Sequence, residues 1–252
     1  MEFRPCIDIH DGKVKQIVGG TIGDGAGIKE NFVSDMSAAD FARMYKEKGL
    51  KGGHIIMLDK PGSEAYKRDM EQAAGALTAW PGGMQVGGGI DPENAEELLD
   101  MGASHVIVTS YLFDDGVFRF DRLQDMKFVT GRHRLVLDLS VRRRDDKYFI
   151  VTDRWQTFTK QELKKELLEE LSYSCDEFLI HAVNVEGTGM GVDEDVLRII
   201  SDARCKPVTY AGGVSSYDDI DTIKSIGQGR IHFTVGSALD IFGGSLKMEE
   251  LI

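Results

Sequence analysis

Two aspartates and two sets of glycines carry the chemistry this sequence could do. Asp8, in Cys6-Ile7-Asp8-Ile9, and Asp138, in Val136-Leu137-Asp138-Leu139, lie at the ends of short apolar runs. A carboxylate at such an edge can move a proton, and two in different surroundings can divide into an acid and a base. Either one alone could simply cap a loop. Gly87-Gly88-Gly89 and Gly212-Gly213 end two other apolar runs, each followed within a few residues by a helix start. Successive backbone N–H groups and the positive end of a helix dipole bind phosphate without a basic side chain. Thr109-Ser110 and Gly236-Ser237 end two further runs and would complete each site with N–H and hydroxyl donors. The expected ligand is a small molecule with a phosphate at each end and proton transfer at its centre.

These residues need elements to hold them. Eight short runs rich in Val, Ile and Leu read as strands buried on both faces: Phe3–Ile9, His54–Leu58, Met84–Val86, His105–Thr109, Leu135–Leu139, Phe178–Ala182, Val208–Ala211 and Ile231–Val235. Helical patterns at Ser37–Lys48, Asp91–Met101, Gln161–Leu171, Asp193–Ile200 and Ser216–Ile226 lie between them. The alternation predicts an α/β fold, a (β/α)8 barrel filling 1–252 as one domain. An open doubly wound sheet is the alternative. Val86-Gly87-Gly88-Gly89-Ile90 matches Tyr210-Ala211-Gly212-Gly213-Val214 at an offset of 124. Val106–Ser110 matches Phe233–Ser237 at 127, and Asp8 matches Asp138 at 130. The three offsets agree with half the length of 252 residues, so two half-barrels, about 1–126 and 127–252, are expected. In that ring Asp8 and Asp138 face each other between the two phosphate turns. Two long connections interrupt the rhythm. Gly12–Ser34, with Gly12, Gly19, Gly20, Gly23, Gly25 and Gly27, reads as a mobile binding loop, and Val141–Thr159 as a loop with a small hairpin at Lys147–Val151.

Composition limits the partners. The chain is 42% hydrophobic and 29% charged, with 29 glycines and only 5 prolines, which is globular composition rather than linker or fibre. A formal charge of −12 argues against nucleic acid and anionic membranes, so anion binding must rest on local geometry. Cys6, Cys175 and Cys205 are scattered without metal-type spacing and fit a cytoplasmic protein. Neither a signal region nor a membrane-length apolar run is present. No metal cluster, Cys–His pair or nucleophile elbow competes, and Gly-x-Gly-x-x-Gly is missing from any dinucleotide context, so no metal or cofactor is expected. A barrel of this length can act as a monomer.

Pro5–Lys13, Gln85–Ile90, Tyr210–Val214 and Val235–Leu239 resemble the histidine-biosynthesis barrels over nearly the whole chain. The isomerases that act on N′-(5′-phosphoribosyl)formimino-5-aminoimidazole-4-carboxamide ribonucleotide (ProFAR) are the nearest branch. Phe178–Ala182 with Val185-Glu186-Gly187 is similar to their eukaryotic members. The resemblance implies an Amadori rearrangement of an aminoaldose to an aminoketose. It casts Asp8 as the base, Asp138 as the acid and Trp155, in Trp155-Gln156, as an indole stacked on the substrate imidazole. It also implies substrate contacts at His181 and Asp59. Many bacterial members carry a Thr beside this His where Ala182 stands here, an Arg where Asp91 stands, and an Arg where Ser237 stands. Asn184 is the candidate for the missing strand-six helper, and His54 is expected to be a packed core residue.

The sister barrel, the cyclase subunit of imidazole glycerol phosphate synthase, also uses two aspartates and two phosphate sites, and it takes ammonia from a partner. Trp155-Gln156 and Gln16-Ile17-Val18-Gly19-Gly20 favour the isomerase. A non-catalytic barrel that binds a bisphosphate is a third reading, and the retention of both aspartates argues against it.

Overall fold

The computed structural model describes residues 1–17, 30–153, 155–186, 188 and 190–252. Gly19, Gly20, Gly23, Gly25, Gly27 and Gly187 lie outside the described residues, and with them the expectation of a mobile first loop.

Eight parallel strands form the barrel: β1 (Cys6–His10), β2 (Gly53–Met57), β3 (Met84–Gly87), β4 (Val106–Val108), β5 (Leu135–Asp138), β6 (Glu177–His181), β7 (Val208–Ala211) and β8 (Ile231–Phe233). Each expected run falls on its strand within a few residues. The ring closes below β1, where Phe3 bridges Phe233 in parallel. Arg4 N–H donates to the Phe233 carbonyl at 2.8 Å and Phe233 N–H to the Glu2 carbonyl at 3.1 Å. Above this closure a hairpin, Lys13–Ile17 with Glu30–Val33, pairs antiparallel with the upper end of β1.

Strand periodicity decides what faces inward. Ile7, Ile9, Ile55, Val86, Val108, Leu137, Ile180 and Tyr210 belong to the large core between strands and helices. The alternate positions Ile56, Ile107, Val136, Leu179 and Ala211 form a second, smaller apolar layer inside the ring. Below it the interior is polar and paired. Glu177 meets the Arg4 guanidinium and accepts from Gln85 Nε2 at 3.0 Å and Thr209 Oγ1 at 2.7 Å. Above it, the next inward positions are Asp8, Thr109, Asp138 and His181, so one alternation runs from the charged base to the reactive rim.

The described residues contain seven helices: α1 (Ala38–Glu47), α2 (Glu64–Ala79), α3 (Pro92–Asp100), α4 (Phe120–Thr130), α5 (Lys165–Leu171), α6 (Glu194–Asp202) and α7 (Tyr217–Ile226). Ser37, Asp91 and Ser216 each form a reciprocal capping box, with Asp40, Asn94 and Asp219 respectively. The sequence pattern does not announce helices α2 and α4. The core-facing side of α2 is Tyr66, Ala73, Ala76, Leu77 and the buried acid Asp69, a face too poor in large apolar residues to give a clear period. On α4 the exposed Phe120 and Phe128 obscure the buried stripe of Leu123, Met126 and Thr130. The expected helix from Gln161 starts at Lys165. Gln161 and Glu162 end the last strand of a three-stranded sheet, Val141–Arg144, Lys147–Thr152 and Thr157–Glu162, which enlarges the expected small hairpin.

Candidate active site

The C-terminal ends of the barrel strands open into a cavity of about 1060 Å³ lined by Asp8, Asp138, His181, Trp155, Gly88 and Gly213, among others. In the strand order β8-β7-β6-β5-β4-β3-β2-β1, the strands bearing Asp8 and Asp138 are separated by three strands on either side. The two carboxylates therefore approach the cavity from opposite walls.

Their surroundings differ. Asp8 Oδ2 accepts from Gln16 Nε2 at 3.3 Å, a side chain carried by the hairpin over β1. Burial and the nearby Glu186 charge push the Asp8 carboxyl up to about 7, against smaller opposing effects of His181 and Gln16. Asp138 accepts two hydroxyl bonds, from Thr109 Oγ1 at 2.9 Å and Ser140 Oγ at 3.1 Å. Burial raises its pKa as well, while His181 and the two hydroxyls restrain the rise. One carboxylate thus rests on an amide and the other on two hydroxyls.

His181 ends β6 beside both. Burial alone would lower its pKa, but Glu186, whose Oε2 lies 3.0 Å from Nε2, and then Asp138 and Asp8 raise it overall. Trp155 packs its ring edge-to-face on His181, with centroids 4.7 Å apart. Its indole Nε1–H donates to Ser140 Oγ at 3.1 Å. Trp155 has a φ of +68°, uncommon for a residue with a side chain. Arg142 steadies that turn by donating to the Trp155 carbonyl at 3.2 Å, its guanidinium 5.4 Å from the Phe158 ring centroid.

The glycine turns match in geometry as they do in sequence. Gly88 and Gly89 have φ of +101° and +68°, and Gly212 and Gly213 have +111° and +77°. A Cβ on Gly88 would strike the Met57 carbonyl oxygen, and one on Gly212 would lie 2.6 Å from that of Ala182. Only glycine suits either position. Gly236 is held open differently: a Cβ there would lie 2.6 Å from Gln16 Oε1. Among the described residues, the N–H groups of Gly89, Gly213, Gly236 and Ser237 donate to no protein acceptor. The first-turn N–H groups of α3 and α7 are less free than the sequence implied. Asp91 Oδ1 takes those of Glu93 and Asn94, and Ser216 Oγ takes that of Asp219. Among the described residues, the cavity wall carries Asp8, Asp59, Asp138, Asp153 and Glu186 against a single lysine, Lys60. An anion would therefore be held here by backbone donors with Thr109, Ser110 and Ser237, all of which line the cavity.

The remaining expected residues divide. Asp59 lines the cavity, but its Oδ2 is engaged by Asp11 N–H at 2.6 Å and His10 Nδ1 at 3.0 Å. It fastens the chain after β1. Asn184 is not in the cavity wall, and its Oδ1 accepts from Arg143 N–H at 2.7 Å, tying the loop after β6 to the three-stranded sheet. His54 is buried, and burial, with the charges of His181 and Arg4, pulls it down to about 3, so the ring is neutral. The structure adds three residues to the expected site: Gln16, Ser140 and Glu186. Ser140 lies two residues beyond Asp138, and Glu186 five beyond His181; both spacings were readable once the strand ends were known. Gln16 reaches the site only because its hairpin folds back over β1, which no local pattern announces. Among the described residues, no group of three or more His, Cys, Asp or Glu side chains is placed to hold a metal ion.

Comparison with known proteins adds an independent line. The model of a family described as "Histidine biosynthesis protein" matches residues 2–246. A chloroplastic protein of Medicago truncatula is 49% identical over 257 residues, covering 100% of this chain and 81% of the relative. A protein of Yarrowia lipolytica is 46% identical, covering 96% of this chain and 93% of the relative. One of Saccharomyces cerevisiae is 38% identical, covering 99% and 96%. All three bear the name 1-(5-phosphoribosyl)-5-((5-phosphoribosylamino)methylideneamino)imidazole-4-carboxamide isomerase.

Proposed function

The chain belongs to the histidine biosynthesis protein family and is an isomerase of that pathway, and from this premise we propose that Asp8 and Asp138 carry out the Amadori rearrangement of ProFAR as base and acid. The observation that carries the assignment is the pair of inward carboxylates on opposite walls, between twin glycine turns.

The turn at Gly88 and Gly89, with Thr109 and Ser110, holds one phosphate, and the turn at Gly212 and Gly213, with Gly236 and Ser237, holds the other. The reacting ribose then spans the rim between the aspartates. Asp138, protonated, delivers its proton to the ribose ring oxygen and opens the sugar to a Schiff base. Thr109 and Ser140 then stabilise the carboxylate left behind, because both present hydroxyl donors to it. Asp8 removes the proton from C2′, and the resulting enolamine tautomerises to the aminoketose. A carboxyl raised to about 7 is well matched to a base working near neutrality. Trp155 covers the substrate imidazole, and His181, whose pKa the Glu186, Asp138 and Asp8 charges raise against burial, stands beside both carboxylates. The two half-barrels each contribute one acid–base group and one phosphate turn.

One chain supplies every group invoked, which supports action as a monomer. Three free cysteines, Cys6 and Cys175 among them buried, suit a reducing compartment such as the cytoplasm. Among the described residues, no helix is long and apolar enough to cross a membrane. Incubation of the purified protein with ProFAR, without ammonia or a glutaminase partner, tests the activity. Conversion to the aminoketose is expected. Absence of conversion, with turnover appearing only when the aminoketose and ammonia are supplied, would instead indicate the sister cyclase.

A further inference from the structure

We propose that Tyr148 and Asp193 are positioning residues for this isomerisation: their hydrogen bond seats the three-stranded sheet against the start of α6 and so sets where Trp155 lies over the substrate.

Trp155 sits in the turn that joins the last two strands of that sheet, Lys147–Thr152 and Thr157–Glu162. The indole can be placed no better than the sheet that carries it. Beneath the sheet, Val151 N–H donates to the Ser140 carbonyl at 2.9 Å. On the side of β4, Lys160 N–H donates to the Gly116 carbonyl at 2.8 Å. On the side of β6, two residues paired across neighbouring strands, Arg143 and Tyr148, reach the following chain. Arg143 N–H donates to Asn184 Oδ1 at 2.7 Å. The Tyr148 hydroxyl lies 2.7 Å from Asp193 Oδ1 and 2.8 Å from Oδ2, and donates to that carboxylate.

Asp193 joins three elements. Its Oδ1 also accepts from Val196 N–H at 3.3 Å, capping α6, and its own N–H donates to the Tyr210 hydroxyl on β7 at 2.8 Å. Tyr148 and Tyr210 are both buried. Burial and the Asp193 carboxylate push the Tyr148 hydroxyl well above its ordinary value, so it keeps the proton it donates. A buried hydroxyl is costly to leave without an acceptor, which disfavours any other seating of the sheet.

The same stretch of chain reaches the second phosphate turn. A Cβ on Gly213 would strike the carbonyl of Gly191, which lies two residues before Asp193. Asp193 therefore fixes the spacing between the sheet that carries the indole and one phosphate seat. Neither Tyr148 nor Asp193 lines the cavity, so both act through Trp155. This role rests on the isomerase reading above.

The test uses the intact enzyme and Tyr148→Phe, Asp193→Asn, Asp193→Ala and the Tyr148→Phe/Asp193→Ala double variant, with folding checked by circular dichroism. Acrylamide quenching of tryptophan fluorescence reads Trp155, because Trp80, the other tryptophan, is buried, and Trp155→Phe reports Trp80 alone. Tyr148→Phe should raise the quenching constant of Trp155 at least about twofold, and KM for ProFAR at least about threefold with kcat changed less than about twofold. Asp193→Ala, which removes the same bond from the other side, should do the same. Asp193→Asn keeps an acceptor oxygen and should change both quantities less than Tyr148→Phe does. The double variant should be no worse than Asp193→Ala alone. Wild-type quenching or a wild-type KM in either folded single variant, Tyr148→Phe or Asp193→Ala, would overturn the proposal, as would losses that multiply in the double variant. Failure of the isomerase reading is distinguishable: the wild-type enzyme would then not convert ProFAR, whereas quenching reads the seating of Trp155 without turnover.

Discussion

Trp155 and Ser140 are joined by one hydrogen bond, Nε1 to Oγ at 3.1 Å, and the same oxygen lies 3.1 Å from Asp138 Oδ1. The indole proposed to cover the substrate therefore also fixes the hydroxyl that bonds the proposed acid. Replacing Trp155 by Phe keeps an aromatic ring over His181 but deletes this donor, and replacing it by Ala deletes both. Steady-state kinetics should show kcat/KM falling less than about tenfold for Trp155→Phe and more than about tenfold for Trp155→Ala. Equal losses in both variants would mean the bond to Ser140 matters as much as the whole ring.

Asp8 also links catalysis to stability. Its carboxyl rises from an ordinary 3.8 to about 7 in the fold, chiefly through burial. A raised carboxyl value contributes stability below the unfolded pKa that is lost as pH rises through the folded one, here between about 4 and about 7. Asp8→Asn removes that loss. Its Tm should exceed the wild-type value at pH 8 by at least about 2 °C, and the difference should shrink toward pH 4. Thermal unfolding at the two pH values checks this.

The glycine turns give a binding prediction. Gly88→Ala and Gly212→Ala each force a side chain into left-handed backbone at φ +101° or +111° and against a neighbouring carbonyl oxygen. Each should raise KM at least about tenfold, equivalent to about 1.4 kcal/mol of lost binding. Inorganic phosphate, as a competitive inhibitor, should weaken in parallel.

Asp69 on α2 is completely buried and accepts from Gly12 N–H at 2.8 Å and Asp59 N–H at 3.3 Å. It fastens the chain after β1 to the chain after β2. Asp69→Ala leaves both donors without their acceptor and should cost about 2–4 kcal/mol in chemical denaturation.

Asp8, Asp138 and the two glycine turns were legible in the sequence because each sits at a strand end, where period-two alternation and an apolar run fix its direction. Thr109 follows from the same alternation, whereas His181 is implied by the family resemblance. Asp59 and Asn184 are expected as substrate contacts; Asp59 Oδ2 also meets His10 and Asp11, and Asn184 Oδ1 meets Arg143, pairings that depend on where separate loops meet. Gln16 and Glu186 were hidden for the same reason. Helix α2 is hard to read because its buried face carries only Tyr66 and Leu77 as large residues beside Asp69, Ala73 and Ala76.

The most direct measurement is the turnover of ProFAR by Asp8→Asn and Asp138→Asn beside the wild type, under identical conditions and with folding checked by thermal melting. General acid–base roles predict a kcat at least about 10²-fold lower in each variant, with KM little changed because the phosphate turns are intact. Variants that melt normally and turn over near the wild-type rate would contradict the assignment of the two aspartates.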